Sequence, residues 1–290
     1  MLKFLINLCL LSLMSCSAHA QIDGQKVART PSNQRTGTTQ SRAPDGRLIS
    51  SEIAQIIERG ELVVVLLNTN NPPFVDEKDG QLIGVDITLM QQVARELNVP
   101  IRYDRSAKTY DEIIQIVASG KADMGVSKLA RTLKRAQSVL FTIPYVNLDH
   151  SFLLNRLEFA KMAREQTVTR ATQNFNGTIG VLAGSAWEEF ARLNFIKATV
   201  VPYPSWSKLV EAVKTGKVVA AYRDAVEVGT IMHKDTSLAL TLRTVSFTDL
   251  QSQICVVISE RNPVLVSFVN AVIANRPEKI TTGKLLAQIK

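Results

Sequence analysis

After Cys16 the 290-residue sequence contains one cysteine, Cys255, so no disulfide can close within that stretch and stability has to come from buried apolar cores. No apolar run of membrane-spanning length follows the N-terminal segment, which predicts a soluble protein of one or two globular units. Histidine is scarce, and His19, His150 and His233 are isolated, which argues against a zinc site. The stretch "GVLAGSAW" has strand, glycine and helix character but no lysine after the glycine and no GxGxxG spacing, which argues against a nucleotide-binding loop. Its "LAGSAW" core is not a GxSxG elbow, and no histidine is placed to complete a triad. Glu188 and Glu189 are sequence neighbours on a helix and point apart. No catalytic residue, metal or cofactor is predicted, and the chain is read as a non-enzyme.

The N-terminus carries a different signal. "MLKFLINLCLLSLMSCSAHA" has one early lysine, an apolar centre from Phe4 to Met14 and a small-residue exit before Gln21, the pattern of a secretory signal peptide over residues 1–20. "LMSC" ending at Cys16 also fits a loose lipobox, so the expected location is the periplasm, either free or lipid-anchored through Cys16. Losing Lys3 with the leader takes the formal charge from +8 to +7. The positive charges are scattered along an exported chain, so they are read as a solvated surface and not as a nucleic-acid site.

Residues 21–47, "QIDGQKVARTPSNQRTGTTQSRAPDGR", are poor in large apolar groups and read as a disordered linker. "SSEIAQIIERG" then reads as a serine-capped helix closed by Gly60, and "ELVVVLLN" as a fully buried strand. "GVDITLMQQVARELNV" and "YDEIIQIVASG" read as helices, "IRYDR" and "KADMGVS" as strands. The alternation restarts after Arg156, with strands in "TIGVL", "ATVVPYP" and "KVVAAYRD", helices between them, and a late strand "SQICVVIS" before the helix "NPVLVSFVNAVIA". Such a sequence predicts an α/β protein built from two units with largely parallel sheets and a ligand cleft between them, at the carboxyl ends of strands.

Three local features look like parts of one clamp. Thr132 and Arg135, three apart, read as a helix start where the position of a capping acid is held by a bidentate cation. Gly184, Ser185 and Ala186 form a strand-to-helix turn with free N–H groups and a hydroxyl. Asp224 ends the strand "KVVAAYRD" and offers a carboxylate to an ammonium.

"PPFV" after the first strand, "GQLIGVDITLMQQVARELNV", "YDEIIQIVASGKADM", "TLKRAQSVLFTIPY", "GTIGVLAGSAWEEF" and "VVAAYRDAVEVG" give the chain from Glu61 to about Ala274 a resemblance to the family 3 solute-binding proteins that feed amino acids to ABC importers. The resemblance implies the two-lobed periplasmic-binding-protein fold (type II-like). Lobe 1 is expected over 48–149 and 249–290, and lobe 2 over 150–248. It also implies that Arg135 holds a ligand α-carboxylate together with Ser185, Ala186 and the backbone N–H of Ala130, and that Asp224 holds the α-ammonium. Tyr110 matches an aromatic side-chain platform and Asn68 a specificity position.

The match has departures: Ala130 stands where the family often has Ser or Thr, Lys128 where a small residue is usual, and Asn71 where an aromatic is usual. Lys128, Arg223, Asn68 and Asn71 would make the side-chain half of the pocket polar and cationic, favouring an amino acid with a polar or acidic side chain. The partners implied are that amino acid and an inner-membrane ABC permease, for a monomeric binding protein without nucleic-acid contact. A ligand sensor serving a receptor is the alternative, and a dehydratase-like enzyme on the same fold a more distant one.

Overall fold

The computed structural model describes residues 40–43, 45–277 and 279–287; the leader at 1–20 lies outside them, as does the linker as far as residue 39. In chain order the elements are the hairpin β1 (Gln40–Arg42) and β2 (Leu48–Ser50), α1 (Ser51–Arg59), β3 (Leu62–Leu67), the hairpin β4 (Asp76–Lys78) and β5 (Gln81–Ile83), α2 (Val85–Leu97), β6 (Ile101–Ala107), α3 (Tyr110–Ala118), β7 (Met124–Gly125) and β8 (Val139–Phe141). There follow β9 (Val146–Asn155), α4 (Arg156–Ala163), α5 (Val168–Gln173), β10 (Thr178–Leu182), α6 (Ala186–Asn194), β11 (Thr199–Tyr203), α7 (Trp206–Lys214), β12 (Ala220–Asp224) and α8 (Ala225–Lys234). The chain closes with β13 (Leu242–Ile254), β14 (Val257–Ser259), α9 (Pro263–Ala274), β15 (Ile280–Thr281) and α10 (Thr282–Ala287).

Two sheets organise these elements. The first has the order β6-β3-β7-β14-β8, with β3 parallel to β6 and β7, and β14 antiparallel to β7 and β8. The second has the order β11-β10-β12-β9-β13, with β15 joining β9; β10 runs parallel to β11 and β12, whereas β9 is antiparallel to β12 and β13. The chain leaves the first sheet after Phe141, enters the second at Val146, and returns between Ile254 and Val257.

Both faces of each sheet are covered, and the sequence shows why. Every residue of "LVVVLL" in β3 is buried; Leu62, Val64 and Leu66 enter one core with α2 and α9, and Val63, Val65 and Leu67 the other with α3. Each such side chain contributes about 1.5–3 kcal/mol by leaving water. In the second sheet Phe152 and Leu154 face an aromatic cluster with Phe175, Phe195 and Tyr222, and Leu153 faces Leu209, Val213 and Val218. Local signals set the ends of α1: Ser50 Oγ accepts from Ile53 N, and Gly60 closes the helix at φ 80°.

Four expectations are corrected. The linker does not run unstructured to residue 47, because Gln40–Arg42 pairs with Leu48–Ser50 about a turn closed by Ala43 N to Arg47 O at 2.9 Å. Thr132 does not start an α-helix: Arg135–Gln137 is a single 3₁₀ turn, although Thr132 Oγ1 does accept from Arg135 N at 3.2 Å. The strand–helix alternation resumes before Arg156 and not after it, with the ten-residue β9 that pairs along β13. "SQICVVIS" is two strands, the end of β13 and β14, separated by Cys255 and Val256.

A cleft lined by two opposed charge clusters

Three helices begin directly at the ends of parallel strands, and each carries its own cap. Thr109 Oγ1 accepts from Glu112 N at 3.2 Å while Glu112 Oε2 accepts from Lys108 N at 2.8 Å, which fixes Tyr110 and Asp111 in the first turn of α3. Gly184, at φ 66°, turns the chain out of β10 so that Ser185 caps α6. Asp224 Oδ1 accepts from Glu227 N at 3.0 Å and caps α8, which leaves Oδ2 for another partner. The turns from the two sheets meet: Leu133 N donates to Glu189 Oε1 at 3.0 Å, and the Lys128 and Asp224 side chains join across the gap.

Arg135 is 5% exposed. Its Nε and Nη2 lie 3.4 and 3.1 Å from Asp111 Oδ1, its Nη1 donates to Ala130 O at 3.2 Å, and Tyr110 lies under the guanidinium at 5.9 Å. A guanidinium has five N–H donors. Three are committed, which leaves one on each terminal nitrogen for a carboxylate. Lys134 Nζ lies 3.5 Å from Asp111 Oδ2, and Glu188, Glu189 and Arg192 line the same side of the turn.

The other side is built around Lys128. Ser127 and Lys128 take φ values of 142° and 53°, a turn pinned by Leu67 N donating to Ser127 Oγ at 3.0 Å and Lys128 N donating to Asp86 Oδ2 at 2.8 Å. Asp86 has no exposed surface; burial pushes its carboxyl up to about 6, although hydrogen bonds from Tyr145 OH, at 2.6 Å, and Lys128 N work the other way. So held, the buried Lys128 ammonium reaches Asp224 Oδ2 at 3.0 Å and Glu227 Oε1 at 2.8 Å. Burial opposes that charge, but the two carboxylates outweigh it and raise the lysine above its ordinary range. Burial likewise opposes the Glu227 carboxylate, yet Lys128 and Arg223 bring it down to about 2. Arg223, also buried, lies 3.4 Å from Glu227 Oε1 and 3.7 Å from Asp224 Oδ2 and stands over Trp206.

These groups line a small hollow, with Tyr110, Lys128, Ala130, Arg135, Ser185, Ala186 and Asp224 on its wall and Leu148, Trp187 and Ile254 as its apolar part. A larger hollow sharing Tyr110 extends past Asn71, Trp206, Arg223 and Glu227.

Eight of the nine residues expected at the site therefore line one of the two hollows. Asn68 does not: it is exposed, and its N–H closes the edge of the sheet on Ala107 O at 2.8 Å. The expectation of a cationic side-chain half is also corrected, because Lys128 and Arg223 are matched by Asp224 and Glu227. Ser185 spends its hydroxyl on its own turn, donating to Leu182 O at 2.5 Å. Glu227 and Asp111 escaped the sequence reading. Glu227 had a signal, since "DAVE" has the spacing of a capping box, but its side chain turns to Lys128 instead of its own helix start.

Residues 63–288 match the sequence profile of bacterial extracellular solute-binding proteins, family 3. Among individual relatives, an arginine-binding periplasmic protein of Mannheimia haemolytica is 23% identical over 177 residues, 60% of this chain and 68% of that protein. Among solved structures, an ancestral amino-acid-binding protein described as a precursor of cyclohexadienyl dehydratase is 25% identical with a TM-score of 0.62, covering 82% of this chain and 99% of that one. An amino acid ABC transporter substrate-binding protein from Streptococcus pneumoniae bound to L-arginine superposes with a TM-score of 0.64 at 22% identity, covering 83% and 98%, a likeness of fold. With two α/β sheets facing each other across a cleft and a profile match over most of its length, the chain belongs to the family 3 bacterial extracellular solute-binding proteins.

Proposed function

We propose that the protein is an extracytoplasmic receptor that closes two lobes over an amino acid, or a small carboxylate closely related to one, and delivers it to an ABC permease as a monomer. The observation that carries this reading is Arg135, a buried guanidinium on the cavity wall with an N–H left on each terminal nitrogen. A carboxylate there would take both donors. Asn71 and Arg223 on the wall of the adjoining hollow support a polar far end. Lobe boundaries fall at the two chain crossings, near 142–145 and 255–256, a few residues from the 149/150 and 248/249 divisions expected above. Cleavage after Ala20 or lipidation at Cys16 would place the receptor free in the periplasm or on a membrane face, and no helix among the described residues is long and apolar enough to cross a membrane.

Binding is favoured over a dehydratase-like role by Glu227. A general acid has to be protonated near neutral pH, whereas Glu227 is held ionised by two cations. A thermal-shift screen of the mature chain against the twenty amino acids and their 2-oxo and 2-hydroxy counterparts tests the reading. A compound at a hundred times its Kd should stabilise the fold by about 2.7 kcal/mol, and the absence of any stabilising compound would reject it.

A further inference from the structure

We infer that Lys128 is a built-in ammonium that takes the place of a ligand's α-amino group, so that the cleft selects a carboxylate lacking that amine, of the 2-oxo or 2-hydroxy acid class, over the matching amino acid. The inference rests on the reading of Arg135 as carboxylate anchor and makes its ligand class specific. Three independent observations carry it. The first is position: Lys128 Nζ stands 3.0 Å from Asp224 Oδ2, against the one carboxylate on the small cavity's wall that could receive an ammonium. The second is charge. Lys128 and Arg223 face Asp224 and Glu227 and cancel, so the carboxylate that would receive an ammonium is already matched. A carboxylate without an amine leaves that balance intact, whereas a zwitterion brings a second ammonium to a carboxylate already paired with one.

The third observation is conformational. Lys128 holds a left-handed φ of 53°, which disfavours a side chain and suits glycine. Placing a long cationic residue there, buried and directed across the cleft, has a steric cost, and such outliers gather at ligand sites.

Calorimetry at pH 7 on the wild-type chain decides the matter, with matched probes: L-glutamate against 2-oxoglutarate and 2-hydroxyglutarate, L-leucine against 4-methyl-2-oxopentanoate, and L-phenylalanine against phenylpyruvate. The expected result is that at least one amine-free acid binds ten-fold or more tightly than its amino acid. Lys128→Gly, which fits the left-handed backbone, should remove or reverse that preference; Lys128→Met keeps the bulk without the charge and serves if the glycine variant does not fold. Wild-type protein that binds an amino acid as tightly as its amine-free partner overturns the inference and leaves the amino-acid receptor standing. If no probe of either series binds while another amino acid stabilises the fold in the thermal-shift screen, the inference falls and the receptor stands; if no compound of that screen binds, both fall.

Discussion

Lys128 Nζ and Asp224 Oδ2 lie 3.0 Å apart, joining a turn after β7 of the first sheet to the last residue of β12 in the second. The pair spans the cleft, so the same contact both binds the lobes to one another and sets the charge that a ligand meets. Its partner Glu227 completes a bridge in which two carboxylates share one ammonium. Taking any one member away leaves buried charge uncompensated, which costs more than the intact pair contributes.

Glu227→Gln should therefore destabilise the protein by about 3 kcal/mol at pH 7, because it removes a buried carboxylate held at about 2, below its ordinary 4.5. The sign follows from proton uptake: below pH 4.5 the unfolded chain takes up a proton that the folded chain refuses until about 2. The wild type should lose this stability between those values while the variant does not. Urea denaturation at pH 7 and pH 3 checks both.

His150 and Asp86 should produce opposing acid responses. His150, held between Ser252 Oγ at 2.7 Å and the Tyr222 hydroxyl, is pushed by burial from 6.5 down to about 4, so it withdraws about 2 kcal/mol of stability by pH 5. Asp86, raised to about 6, takes up its proton first in the folded state and returns somewhat more than about 1 kcal/mol over the same interval. The wild type should lose less than about 1 kcal/mol from pH 7 to 5. Asp86→Asn should steepen the loss and His150→Gln should reverse its sign.

Gly84 links β5 to α2 at φ 122°, and a Cβ built there would lie 2.3 Å from Phe74 O. Gly84→Ala should cost about 1–3 kcal/mol from backbone strain alone, with more from the clash. A melting temperature unchanged from wild type would show that the loop at Pro73 and Phe74 gives way.

The alternating strands and helices were legible because each carries a local signal: six successive apolar residues in β3, Ser50 and Gly60 around α1, Thr109 before α3. β9 was not, since "VNLDHSFLLN" lacks a clean period: its first half alternates between solvent and core, and its second is buried on both faces by partners distant in sequence. Arg135 and Asp224 could be placed at the cleft from motif and position. The partners of Lys128 could not, because Asp224 and Glu227 lie 96 and 99 residues away and only the folded chain brings them to it.

The central claim is that Arg135 anchors a ligand carboxylate between the lobes, and titration of wild type and Arg135→Ala with the strongest compound of the thermal-shift screen tests it most directly. The account predicts a folded variant whose affinity falls by 2–5 kcal/mol, roughly thirty-fold to several-thousand-fold. Equal affinities in the two proteins would contradict it.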